Sequence, residues 1–495
     1  MTAPCPIAAP FSIKIGRSRA PPPNSTPSLL SMPLSVLSTV LSHRQRPELE
    51  FLCRKTCMYM KNMRDMSYTL ASDGTNILLC SSTRRLFLSG FNVGRQCGLG
   101  STEPFVRTPS WVRLPPVIRV HASHEAVFAF TTNGIWAWGK NTHGRLGVGT
   151  VNPVVARPMK VQVAGTVVKL TVAPHAVFFR TLAGWFASGS NNHGALAICG
   201  NRKSFVVPQE IPDSADILEI WSGHQSTFAQ RPETLSACGC NLFGCLGICL
   251  GVSSVDVLTP VALPEGMRVT SVVSSDYSSF ILVGTRCFVC GSNPDGQLAL
   301  PPCPFLSSPK PLPFPVDGVI TRGHATVFAS NGRIVVAGNN KSKQFPSDQP
   351  VLPGPLKLGV PFTVAKVTLG PGSLFLQSDG GAWFARGDNS NAQLGVGELE
   401  ASIGHLGPVH RGSLLHVCPG TSVSFFIGND GVYVSGNINS AGDSSGNESF
   451  FGDDLLRDRT VPQRVWDGAK CRLLELAPTL VVKKAVARAG RDHRG

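Results

Sequence analysis

The chain repeats itself, and that repeat limits the fold more than any other feature. The stretch "GKNTHGRLGVG" from Gly139 recurs as "GFNVGRQCGLG" from Gly90, "GSNNHGALAIC" from Gly189, "GCNLFGCLGIC" from Gly239, "GSNPDGQLALP" from Gly291, "GNNKSKQFP" from Gly338 and "GDNSNAQLGVG" from Gly387. A looser copy, "GNINSAGD", begins at Gly436. From one leading glycine to the next the steps are 49, 50, 50, 52, 47, 49 and 49 residues. A period this even marks an array of units, none of which can bury its apolar face without a neighbour.

The unit can be read from its other fixed offsets. Eleven residues before each leading glycine stands an apolar side chain: Leu79, Phe128, Phe178, Phe228, Phe280, Val327, Leu376 and Phe425. Between the two lie a turn and a second apolar run, as in "FAFTTNGIWAWG" and "FIGNDGVYVSG". Asn-Gly and Asp-Gly between β-rich runs are hairpin signals. A Pro-marked run and a Val-rich run precede each hairpin, so about four short strands fill one unit, which is the pattern of a β-propeller blade. Helical periodicity is nearly absent.

Glycine-rich stretches raise a phosphate-loop reading. Gly139, Gly144, Gly147 and Gly149 fit neither Gly-x-x-x-x-Gly-Lys-Ser/Thr nor Gly-x-Gly-x-x-Gly. Recurrence in every unit favours a turn that the architecture needs, and no nucleotide or other cofactor is expected.

The pattern of a polar position, a Phe, a hairpin and then Gly-x-Asn-x-x-Gly-Gln-Leu-Gly resembles the repeat of the regulator of chromosome condensation family. "HASHEAVFAFTTNGIWAWGKNTHGRLGVG" and "RGDNSNAQLGVG" match it closely, and the likeness runs over about residues 66 to 480. The resemblance implies an all-β fold, a single β-propeller of four-stranded blades. Seven blades is the usual number in that family, whereas eight leading glycines point to eight, so both counts stay open. It also implies that Gly90, Asn92, Gly139, Asn141, Gly144, Gly189, Asn191, Gly239, Asn241, Gly291, Asn293, Gly338, Asn340, Gly387, Asn389 and Gly436 are turn formers. Gly supplies backbone angles closed to other residues, and Asn caps its own turn.

A few residues ahead of each recurrent Phe stands a small or polar residue. His124, His175, His224 and His324 fall there, with Asp276 among them. Equivalent positions in successive blades make a ring on one side of a propeller. Each imidazole could bond a neighbouring backbone group to lock its blade, or the five could together form a contact ring for a partner; they are the candidate partner-binding residues.

Charge is concentrated at the chain ends. Residues 1 to 66 carry nine Lys/Arg against three Asp/Glu and residues 470 to 495 seven against two, leaving only +4 of the net +15 in between. Nucleic acid or chromatin would therefore be met by the tails rather than by a propeller groove. The expected division is a basic Pro/Ser-rich N-terminal tail over 1–65, the propeller over 66–487 and a basic C-terminal tail over 488–495. The first acid is Glu48, and an acid-poor, Arg- and Ser-containing start has the composition of a mitochondrial transit segment. A disordered tail, a nucleic-acid-binding arm and an upstream extension before a start near Met66 compete with that reading. Cytoplasmic, nuclear and mitochondrial locations all stay open. No apolar run reaches membrane-span length.

"CGCNLFGCLGIC" and "CFVC" place Cys238, Cys240, Cys245, Cys249, Cys287 and Cys290 close together in sequence. Zinc needs ligands converging on one point; here the cysteines fill positions that other units give to Ser, Gly, Leu and Trp, so reduced, packed thiols and no metal are expected. No catalytic motif stands out. The expected function is a non-catalytic protein-binding propeller, monomeric, without a membrane partner. The resemblance adds guanine-nucleotide exchange on a small Ran-like GTPase and chromatin association as alternatives.

Overall fold

In a computed structural model the described residues are 69–71, 76–80, 84–103, 105–123, 126–249, 251–275, 277–398, 400–410, 414–421, 423–428, 431–436, 460–467 and 479–481. Both tails of the sequence reading, 1–65 and 488–495, lie outside them, as do His124 and Asp276.

Four consecutive strands pair antiparallel to make a sheet, and the described residues contain eight such sheets in succession. One repeat makes one blade, with the chain running from the innermost strand outward. Blade 3 is typical: Lys169–Val172, Ala176–Arg180, Trp185–Ser190 and Ser204–Glu210. The expected β-propeller of four-stranded blades is what forms, and the sheet count agrees with the eight leading glycines.

The recurrent aromatics lie mid-way along the second strands and cement each blade to the next. Phe178 shares an apolar cluster with Ile220 and Ala229 of blade 4; Phe228 with Val272 and Ile281 of blade 5; Phe280 with Val319 and Phe328 of blade 6. Each such ring is fully buried, a contribution of about 2–3 kcal/mol apiece from area removed from water. Blade 7 departs from the offset: Phe375, one residue before Leu376, pairs with Ala385 as Phe178 pairs with Ala187. Its hairpin from Gln377 to Trp383 has one more residue than that from Arg180 to Trp185. The last blade meets the first two in a single cluster that joins Phe425 and Val434 to Leu86, Leu88 and Phe128, so the array closes on itself.

The leading glycines are fixed by a close backbone approach. Gly189, Gly239, Gly291, Gly338 and Gly387 all have φ between 98° and 113°. A Cβ there would stand 2.1–2.3 Å from the carbonyl oxygen of, in order, His175, Gln225, Tyr277, His324 and Gly372. The same carbonyl accepts a hydrogen bond from the residue after the glycine, for example Ser190 N–H to His175 O at 2.9 Å. In most blades the pairing to the outermost strand slips at this point, as between Ala187 and Gly189, a β-bulge that turns the chain into the long loop beyond.

The Asn of each repeat brackets that loop. Asn141 Oδ1 accepts the Leu146 N–H at 3.0 Å, while Nδ2 donates to Thr150 O at 3.1 Å and Asn152 O at 2.8 Å. Asn92, Asn191, Asn340 and Asn389 make the same three-point clasp. The side chain thus spans nine to eleven residues, further than a cap on its own turn.

Two loops have lost a glycine at a position that needs positive φ. Ala197 (φ 58°) and Ala299 (φ 57°) stand where Gly98, Gly147, Gly247 and Gly395 occur in other blades. An L-residue in this conformation costs about 1–2 kcal/mol, part of which glycine gives back as greater freedom when unfolded. Ala197→Gly is therefore expected to raise stability by about 0.5–1 kcal/mol, read as a higher urea midpoint at unchanged slope.

Candidate partner-binding face

A two-residue turn joins the innermost strand of a blade to its second strand, and the bracketed loop follows the third strand. The glycine contact ties each turn to its own blade's loop, which puts both on one face of the ring. The described turn residues are Pro174-His175, His224-Gln225, Tyr277, Gly323-His324 and Pro371-Gly372. The described ring residues accordingly occupy two adjacent positions: His224 is first in its turn, His175 and His324 second. A fixed sequence offset could not separate the two.

The structure brings His175 and His224 together across blades 3 and 4. Their Nε2 atoms are 3.3 Å apart with the rings at 89°, so one ring nitrogen donates to the other's lone pair. The His143 ring from the loop of blade 2 meets His175 edge-on, with centroids 6.1 Å apart. Burial first, then the charges of His224, Arg145, His143 and Lys140, lower the His175 pKa and favour the neutral ring.

His324 is not part of this cluster. Its Nδ1 lies 2.8 Å from Asp295 Oδ2, and Asp295 also accepts from Asn339 Nδ2 at 3.3 Å. The sequence reading missed a rule that the geometry makes plain. The residue four after a leading glycine reaches forward onto the second turn residue of the next blade. His143 meets His175, Phe243 meets Tyr277 edge-on at 5.0 Å and Asp295 meets His324. Ser342 lies against Gly372, whose absent Cβ would be 2.6 Å from its Oγ. Variable chemistry at two sequence positions that only the fold makes neighbours left no visible signal. His224 and His324 thus bond side chains of the preceding blade, and His175 bonds His224 of the following one.

A second set of contacts lies beneath these buckles. The residue before the leading glycine reaches back to a loop carbonyl of the preceding blade: Trp138 Nε1 to Gln96 O at 2.8 Å, Ser188 Oγ to Arg145 O at 2.9 Å, Ser435 Oγ to Ala392 O at 2.7 Å. Arg386 does the same with its guanidinium on Lys343 O and Phe345 O. The face is therefore held as a rigid surface. On it Leu242 is 54% and Tyr277 38% exposed, and the His324 side chain is 46% exposed.

Of the cysteines named above, five are packed in the blades and Cys249 is exposed. Cys238, Cys240, Cys245, Cys287 and Cys290 are buried and unbridged. Burial pushes the Cys238 and Cys245 thiols up to about 12 and raises Cys287 and Cys290 as well, which keeps them protonated and unreactive.

Around the axis, strand pairing puts Arg119, Lys169, Glu219, Ser271, Gly318, Lys366 and His416 at equivalent positions of successive innermost strands. Arg119 donates to Val168 O of the next blade at 3.1 Å, Lys169 pairs with Glu219 at 2.6 Å, and Lys366 Nζ donates to Leu415 O at 3.3 Å. His416 is fully enclosed, its Nε2 without a partner, and burial with nearby Lys366 lowers its pKa to about 3. The unfolded chain binds that proton near pH 6.5 and the folded chain does not. His416 thus costs no stability above about pH 6.5, and stability falls as pH drops towards 3, by up to about 1.4 kcal/mol per pH unit. His416→Leu is expected to flatten this slope in urea titrations between pH 6.5 and 4.

The fold is that of a repeat β-propeller. Residues 133–174 match the regulator of chromosome condensation (RCC1) repeat. Among solved structures, human WBSCR16 is similar at a TM-score of 0.51 and 17% identity, over 67% of this chain and 93% of that one. Yeast RCC1 (Prp20) bound to Kap60 gives 0.47 and 18%, over 59% and 74%. Prp20p of Saccharomyces cerevisiae gives 0.45 and 18%, over 71% and 79%. No curated protein matches the sequence. At these identities the first likeness is one of fold alone.

Proposed function

We propose that the protein is a non-catalytic protein-binding propeller that docks a partner on the face carrying the turns at 174–175, 224–225, 277 and 323–324. The observation that carries this reading is the exposed pair Leu242 and Tyr277, with the half-buried Phe243 ring set edge-on against Tyr277. It is set between the His175–His224 pair and the Asp295–His324 pair on a surface locked blade to blade. Apolar and aromatic anchors within a polar surround are how protein interfaces concentrate their energy, and a rigid scaffold lowers the entropic cost of docking.

The test is affinity capture from native cells with the intact chain, a Leu242→Glu/Tyr277→Ala variant, and a control changed on the opposite face at the exposed Leu182. A partner lost from the first variant and kept by the control is the expected result. A small GTPase captured only when nucleotide-free and released by GTP would instead support exchange. Histones lost steeply as salt rises would support binding through the tails.

A further inference from the structure

The seventh blade has a fifth strand. Thr479–Val481 pairs antiparallel with Val364–Leu369, the innermost strand of that blade, with Thr479 opposite Thr368 and Val481 opposite Lys366. It also lies against Gly318–Arg322, the innermost strand of blade 6. A strand inside the innermost strands lies on the axis, so this C-terminal segment occupies the central channel.

Innermost strands present one hydrogen-bonding edge to the channel, and an open edge is a template for an added strand. Among the described residues only one of the eight innermost edges, that of Val364–Leu369, has such a strand. The level at which Val481 pairs carries Arg119, Lys169 and Lys366 against the single acid Glu219. The resident segment continues into Lys483 and Lys484, and residues 482 to 495 contain five Lys/Arg against one acid, Asp492. The described resident strand, Thr479–Val481, brings no acid to these cations, where an acidic strand would be better matched. His416, one blade on from Lys366 at the same level, keeps a buried ring nitrogen without a partner.

We infer that the axial channel is a strand-accepting site for an extended acidic peptide of a partner, and that Thr479–Val481 is a built-in competitor which that peptide displaces. This site is separate from the face proposed above, and either can fail without the other.

The test uses the full chain, a Leu480→Pro variant that removes a ladder N–H, and a Lys483→Glu/Lys484→Glu variant that reverses the charge following the resident strand in sequence. The probe is a labelled eight-residue peptide alternating Val and Glu, with a Val/Lys peptide as comparison. Hydrogen exchange at residues 366–368 should be at least ten-fold faster in Leu480→Pro than in the full chain. The acidic peptide should bind Leu480→Pro at least ten-fold tighter than the full chain, and the double Glu variant more weakly than the full chain. The double variant keeps the proposal testable if Leu480→Pro fails to fold. Equal exchange at 366–368, no acidic-peptide binding to any form, equal binding of the basic peptide, or unchanged binding by the double variant would each overturn it.

Discussion

Gly189→Ala is expected to destabilise the protein by about 3–5 kcal/mol, among the largest effects of any single-methyl change in the chain. The new Cβ would meet His175 O at 2.3 Å and Ala176 Cα at 2.9 Å, both backbone atoms with no room to retreat. It would also hold an alanine at φ 112°. Relief requires the turn to separate from the third strand, which breaks the hydrogen bond from Ser190 to the same carbonyl. Gly200→Ala is the matching control: φ there is 119° but nothing lies within 4 Å of the added carbon. That change should cost only about 1–2 kcal/mol, from backbone strain alone. Urea melts of the two variants separate collision from strain, and equal losses would disprove the close-approach account.

Trp138→Ala should cost a similar amount, about 3–5 kcal/mol, for a different reason. The indole is wholly buried between blades 1 and 2, and its Nε1 donates to Gln96 O at 2.8 Å. Truncation leaves a cavity and an unsatisfied carbonyl together. Trp138→Phe keeps most of the volume and is expected to lose about 1–2 kcal/mol, the size of a buried hydrogen bond left unmade. The space for the ring comes from Gly98, whose Cβ would lie 2.6 Å from Nε1. Gly98→Ala should therefore hurt far less in the Trp138→Ala background than alone, a coupling that a double-mutant cycle reads directly. Additive losses would mean that the two residues do not share this space.

Much of the fold was legible in the sequence because the features that repeat are those that local chemistry dictates. The leading glycine answers to a carbonyl a fixed distance back along the hairpin, and Asn141 and its counterparts close a loop of nearly constant length. The Phe positions recur because each blade buries the same face. Legibility failed where one extra residue shifted the count, as at Phe375 against Leu376, and where histidines of similar offset sit at two adjacent turn positions, as at His175 and His224. It failed again for the buckles, since His143 with His175, Phe243 with Tyr277 and Asp295 with His324 solve one geometric problem with three chemistries. The place of Thr479–Val481 depends on which edge lies open at the axis, and that is a property of the closed ring.

Each blade's four strands follow one another along the chain, and among the described residues the first and last blades meet through apolar side chains rather than a shared ladder. Such a ring has a seam without a clasp. It can gain a blade by duplication of a single unit with no rethreading of its ends, which makes an eighth blade an accessible step from seven. The same seam is where the ring should part first under heat or force, and a circular permutant that joins the present ends and opens the chain between blades 4 and 5 would carry the weak point there.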